Sequence, residues 1–183
     1  MTASKVFAIT GGVSGIGAAS AHLLAERGAA AICIGDVAAD NFTKTQTLIG
    51  KINPSAKVWC KLVGVTSSKP IDRWFTGVIT TFGDLHGVAN VAGIPQFIGQ
   101  DPHSNLNNVF YSTRVALRAM KEFSSGSDRA IVSVASMTSI HHNPDAYAYW
   151  ISIAGFAHFT QSMAKDTRTL GIRVNWVSPA GRD

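Results

Sequence analysis

Gly11, Gly15 and Gly17 stand in the run Thr10-Gly11-Gly12-Val13-Ser14-Gly15-Ile16-Gly17, where a β-branched stretch gives way to helical spacing. At a strand-turn-helix junction Gly11 permits a sharp turn. Gly15 and Gly17 let a phosphate approach bare backbone, with Val13, Ser14 and Ile16 completing the contact surface. The free N–H groups and positive end of the helix then face a pyrophosphate. Asp36 lies 19 positions after Gly17, at the end of a second apolar run. A carboxylate there accepts both hydroxyls of a ribose and repels a 2′-phosphate. Neither Val13-Ser14 nor Val37-Ala38-Ala39 holds a Lys or Arg, so NAD is preferred over NADP as the cofactor. The alternative role for Asp36 is to cap the following turn.

Hydrophobic spacing supplies the elements that must position these residues. Strands are predicted over residues 5–10, 30–36, 57–65, 87–91, 129–135 and 172–177, and helices over 15–27, 40–51, 69–82, 105–123 and 149–170. Gly28 stops the first helix and Pro54 forbids extension of the second. Nearly all-apolar strands alternating with helices imply a doubly wound parallel sheet covered on both faces, a three-layer α/β/α, Rossmann-like fold. Ligands in such a sheet bind at the carboxyl ends of the strands. Function is therefore expected in the loops after the first, fourth and fifth strands. No repeat, low-complexity tract or Pro/Ser-rich linker interrupts the pattern, so residues 1–183 read as a single NAD(P)-binding domain.

Three motifs fall in those loops: the glycine run, Asn90-Val91-Ala92-Gly93, and Ser136 followed 13 positions later by Tyr149 at the head of an apolar helix. Together they resemble the short-chain dehydrogenase/reductase family. The TGxxxGxG spacing is that family's form of the glycine turn. Asn90, Ala92 and Gly93 are similar to its NNAG segment, with the second Asn changed, which implies that they brace the sheet and pass beside the adenosine. The resemblance implies that Ser136 orients a substrate carbonyl, that Tyr149 is the general acid or base, and that Asn105 is the fourth member of the catalytic set. Tyr147 breaks the spacing to Ser136 and reads as a packing residue.

The departures from the family pattern are as informative. The family carries a lysine four residues after its tyrosine, and here that position is Ile153. A free tyrosine titrates near pH ~10, and a nearby cation lowers that value. Without the cation, a loss of ~100-fold or more in rate is expected. Arg114, His141, His142 and Lys165 are the substitutes to consider. Lys165 lies more than four helical turns from Tyr149, too far along the helix. Asn105 follows Gly93 by only 12 positions, about half the family's interval, which makes a helix N-cap the competing role. Asn108 takes the place of a usual glycine, and Gly64 that of an aspartate that touches the adenine. After Pro179-Ala180-Gly181 the family continues with a threonine, a helical substrate flap and one more strand. The chain is expected to lack that last strand and flap, with marginal stability from an uncovered edge.

Composition narrows the remaining classes. A net charge of +5 comes from scattered Lys and Arg without a run, which reads as solvated surface and not as a nucleic-acid patch. No apolar run is long enough to span a bilayer and no secretory segment precedes the first strand, so a cytoplasmic protein is expected. Cys33 and Cys60 read as reduced core residues, and no metal site is expected. The partners implied are a small-molecule substrate and, from the resemblance, a second copy of the chain, with Val109, Leu117, Phe156 and Phe159 at a homodimer interface. Three functions stay open. One is an oxidoreductase interconverting a secondary alcohol and a ketone with NAD(H), impaired by loss of the lysine. Another is a non-redox catalyst (isomerase, dehydratase or cyclase) using Tyr149 and Ser136. The third is a non-catalytic NAD-binding pseudoenzyme or truncated gene product.

Overall fold

The structure is a computed structural model, which describes residues 4–94, 103–123, 128–137 and 147–179. Strands and helices alternate along it: β1 (Val6–Thr10), α1 (Gly15–Glu26), β2 (Ala31–Asp36), α2 (Phe42–Ile52), β3 (Lys57–Leu62), α3 (Ser68–Phe82), β4 (Gly87–Asn90), α4 (His103–Phe123), β5 (Arg129–Val134), α5 (Tyr147–Asp166) and β6 (Ile172–Val177). The expected second helix begins as a 3₁₀ turn, Ala39–Asn41. The expected long helix ends at Asp166, and a separate 3₁₀ turn, Arg168–Leu170, leads into β6.

The strands form one parallel sheet in the order β3-β2-β1-β4-β5-β6. The order reverses direction between β1 and β4, so the loops leaving these two strands diverge and open a crevice at their carboxyl ends. Register aligns one row across the sheet at that end: Gly35, Thr10, Asn90, Ser133 and Trp176. Asn90 lies in this row, and Gly11, Asp36, Ala92 and Ser136 follow it within three residues of their strands.

Side-chain alternation divides the core. On β2, Ala31 and Cys33 face a cluster with Trp74, Phe75 and Val78 of α3 and Ala116 and Met120 of α4. Ile32 and Ile34 face the other way, toward Ala21 and Ala25 of α1 and Ile49 of α2. Both faces are thus covered, as a parallel sheet with apolar strands requires. Cys33 and Cys60 belong to opposite faces and both are free thiols. Burial pushes Cys33 up to about 12, with Cys60 adding to the effect. Cys60 rises to about 11 by burial, with the Asp36 carboxylate adding to it.

A third cluster joins α4 and α5 at the tip of β5: Val109, Ala135, Ile153 and Phe156, with Leu106, Tyr149, Phe159 and Trp176 packed around them. This corrects two of the four residues expected at a dimer surface, Val109 and Phe156. Val109 and Phe156 are buried within the chain, and Leu117 and Phe159 are partly buried. Among the described residues, the large hydrophobic side chains exposed on these helices are Phe110, Tyr147 and Ile151. Tyr147 is corrected too: it lies inside α5 and is 69% exposed, so it is no packing residue.

Candidate active site

The glycine turn leaves β1 and enters α1. The Gly11 N–H donates to the Gly35 carbonyl at 2.8 Å, which fixes the turn to β2. A Cβ on Gly17 would lie 2.0 Å from the Gly11 carbonyl oxygen, so α1 sits directly on the turn and admits no side chain there. Gly15, the first residue of α1, has φ +49°, and a Cβ built on it meets nothing within 4 Å. Ser14, Gly15 and Ile16 are exposed. Ser14 makes no side-chain cap, so the first N–H groups of α1 receive no bond from it. Bare backbone, uncapped donors and open space coincide at one point, which fits a pyrophosphate.

Asp36 ends β2 and is 8% exposed. Its Oδ2 accepts the Val13 N–H at 3.2 Å and its Oδ1 accepts the Ala38 N–H at 3.0 Å. The turn-capping role is therefore present. Each carboxylate oxygen has a second lone pair, which leaves acceptor capacity for ribose hydroxyls. The Asp36 carbonyl accepts the Val63 N–H at 3.0 Å, bringing Gly64 alongside. A Cβ on Gly64 meets nothing within 4 Å.

Asn90 is turned inward. Its Nδ2 lies 3.2 Å from both Thr113 Oγ1 on α4 and Ser133 Oγ on β5, and its Oδ1 is buried with no partner among the described residues. The side chain braces β4 against α4 and β5 and is shut off from the crevice. Beyond it, Thr10 Oγ1 accepts the Val91 and Ala92 N–H groups at 3.2 and 3.3 Å. Ala92 presses on the turn: a Cβ on Gly11 would lie 2.7 Å from Ala92 Cα. Gly93 and Ile94 are exposed.

Asn105 lies inside α4, so it is not the helix N-cap. Its Oδ1 accepts the Ile94 N–H and its Nδ2 donates to the Ile94 carbonyl, both at 2.9 Å. One turn later Asn108, fully buried, donates from Nδ2 to the Ala92 carbonyl at 2.7 Å and accepts from Ser112 Oγ at 3.1 Å. Sequence reasoning treated Asn108 only as a departure and overlooked Thr10 and Ser112. A signal was present: Asn105, Asn108 and Ser112 fall at i, i+3 and i+7, one face of a helix. That face is buried, although asparagine is a weak helix former.

Ser136 follows β5, and its carbonyl accepts from Ser178 Oγ at 3.1 Å. Tyr149 stands in the first turn of α5 and joins the Val109–Ala135–Ile153–Phe156 cluster, which includes the residue before Ser136. Its carbonyl accepts from Ser152 Oγ at 2.6 Å. Ile153, one helical turn on, is 4% exposed and packed in the same cluster, so the position holds a core side chain and no cation. Arg114 is exposed and lies with its guanidinium 5.3 Å from the Phe110 ring centroid, in a groove lined also by Lys69 and Asp72 of α3. Lys165 is in the last turn of α5, ~24 Å along the helix from Tyr149. His141 and His142 lie outside the described residues. Among the described residues no three His, Cys, Asp or Glu side chains are placed to hold a metal, and no helix is long and apolar enough to cross a membrane.

A parallel 3-2-1-4-5-6 sheet, a glycine turn under α1 and a tyrosine at the head of α5 define a class of nucleotide-binding α/β proteins. The chain belongs to the short-chain dehydrogenase family, whose model matches residues 5–183. It is 50% identical to a chanoclavine-I dehydrogenase of Arthroderma otae over 194 residues, covering 96% of this chain and 74% of that protein. It is 49% identical to a chanoclavine-I dehydrogenase of Claviceps purpurea, covering 96% and 73%. The alignment to the Arthroderma protein is longer than the 183 residues of this chain, so it crosses positions where this chain lacks residues. Among solved structures, levodione reductase superposes with a TM-score of 0.91 at 26% identity, covering 98% of this chain and 72% of that one. An NAD+-bound xylitol dehydrogenase gives 0.84 at 26%, covering 100% and 73%.

Proposed function

We propose that this chain is an oxidoreductase that interconverts an alcohol and its carbonyl compound with NAD(H). The observation that carries the reading is the uncapped N-terminus of α1, where Gly15 opens onto free space at the carboxyl end of β1. Gly11 to Gly17 would hold the pyrophosphate and Asp36 the adenosine ribose. The absence of a Lys or Arg beside Asp36 supports NAD over NADP. Bound NAD+ supplies the hydride acceptor. Tyr149 Oη takes the hydroxyl proton as the carbonyl forms, and Ser136 Oγ orients the reacting oxygen. The names of the relatives make chanoclavine-I the first alcohol to assay, and a secondary alcohol is the substrate type expected from the family pattern. A cytoplasmic homo-oligomer is part of the same reading, with Phe110 and Ile151 as the apolar contacts exposed on α4 and α5.

Ile153 favours a second reading, in which the nucleotide is bound but hydride transfer is absent or replaced by a non-redox step at Tyr149. Ile153 stands one turn from the phenol, at the position where the family pattern carries a lysine. Titration of the protein with NADH by fluorescence, followed by NAD+-dependent oxidation of chanoclavine-I, separates the two. The oxidoreductase reading expects NADH binding and a slow turnover that Tyr149→Phe abolishes while binding persists. Binding with no turnover in either form supports the second reading. No binding of NADH at millimolar concentration overturns both.

A further inference from the structure

We propose that Asn108, held by Ser112, is a positioning residue that sets the cofactor crevice by fastening the Ala92 carbonyl and so keeping the β4–α4 turn pressed on Gly11. The inference rests on the nucleotide-binding reading and assigns a role to a side chain outside the glycine turn.

The contacts form one chain through the molecule. Ser112 Oγ donates to Asn108 Oδ1 at 3.1 Å, and Asn108 Nδ2 donates to the Ala92 carbonyl at 2.7 Å. Ala92 in turn donates its N–H to Thr10 Oγ1 at 3.3 Å, and its Cα lies where a Gly11 Cβ would be crowded at 2.7 Å. Both peptide groups of Ala92 are thus tied, one to β1 and one to α4. The orientation of the Asn108 amide is forced, because a carbonyl can only accept and the amide must offer its nitrogen there. Asn108 and Ser112 are both fully buried, so water cannot replace a lost partner without opening the site.

Removing the Nδ2 donor leaves the Ala92 carbonyl unsatisfied and frees the turn that backs Gly11. The first N–H groups of α1 depend on that turn for their aim. Asn105 grips only Ile94, two residues further, and cannot substitute. Asparagine is also a poorer helix former than alanine, so helix propensity alone would make Asn108→Ala stabilising.

The test combines hydrogen exchange with NADH titration of the full chain. Asn108→Ala should speed amide exchange in both 91–94 and 11–17 and weaken NADH binding about tenfold. Asn108→Asp, the same size without the donor, should match it. Ser112→Ala should weaken binding about threefold and Ser112→Thr should restore it, and this pair decides the matter if Asn108→Ala does not fold. NADH affinity within twofold of wild type in folded Asn108→Ala, or faster exchange confined to α4, overturns the positioning role. Wild-type protein that binds neither NADH nor NADPH overturns the cofactor reading itself. Wild type that binds while Asn108→Ala binds equally overturns the positioning role alone.

Discussion

Alanine at position 17 should separate a packing glycine from a conformational one. A Cβ there lies 2.0 Å from the Gly11 carbonyl oxygen, 2.8 Å from its carbonyl carbon and 3.0 Å from Gly12 Cα. Close C···O contacts begin near ~3.3 Å, so the methyl falls short by ~1.3 Å. Every atom it meets is backbone, and Gly11 is tied to Gly35, so α1 itself must move. Overpacking of this kind costs about 3 kcal/mol or more. Replacing glycine by alanine within a helix returns about 1 kcal/mol. The net loss should therefore be about 2 kcal/mol, a large part of a total of roughly 5–15 kcal/mol. Gly28 is the control: its φ is +80°, and a Cβ meets nothing within 4 Å. Gly28→Ala should cost only the left-handed backbone conformation, about 1–2 kcal/mol, with NADH affinity unchanged. Gly15→Ala should carry a similar strain but place a methyl where phosphate must approach, weakening NADH about tenfold. Urea unfolding followed by tryptophan fluorescence gives the stabilities, and NADH titration gives the affinities. Gly17→Ala with wild-type stability would refute the placement of α1 on the turn, and Gly15→Ala with wild-type affinity would refute the proposed phosphate site beside Gly15.

Ile153→Lys should lower stability by about 2–4 kcal/mol, because an amine replaces a side chain packed against Val109, Ala135 and Phe156. The same variant should raise NAD+-dependent alcohol oxidation by up to ~100-fold, and an unaltered rate in folded protein would show that the missing cation is not what limits it. The thiols predict an alkaline effect. Cys33 and Cys60 ionise near pH 9 when unfolded but only at about 12 and 11 in the fold. Their contribution to stability is therefore complete below pH 9 and is lost as pH rises through 11 to 12. Cys33→Ala should flatten that part of a stability–pH curve, and iodoacetamide at pH 8 should label both thiols in urea and neither in the native protein.

Local signals in the chain reached far. Short, nearly all-apolar runs placed all six strands, and the spacing of Ile16, Ala19, Leu23 and Leu24 placed α1. These signals are local because a strand buried on both faces must be apolar throughout and a covering helix must be apolar on one face. The crevice was legible for the same reason: Gly11, Gly15 and Gly17 answer to a turn only a few residues long. What sequence alone left open depended on contacts between distant segments. Val109 and Phe156 are apolar residues suited equally to an interface or a core, and only the packing of α4 on α5 put them inside. Tyr147 and Tyr149 differ by two positions, a rotation of ~200° on a helix, which turns one ring into the cluster and the other to solvent. Asn105 read as a catalytic residue or a helix cap, and Asn108 as a replaced glycine, until α4 lay beside the β4 turn and their amides met Ile94 and Ala92. The sequence by itself determined the elements and the glycine turn, because short-range sterics and periodicity act within a few residues. Only the tertiary structure decided which polar side chains hold the turn after β4, because a hydrogen bond between residues 92 and 108 exists only once the sheet has brought them together.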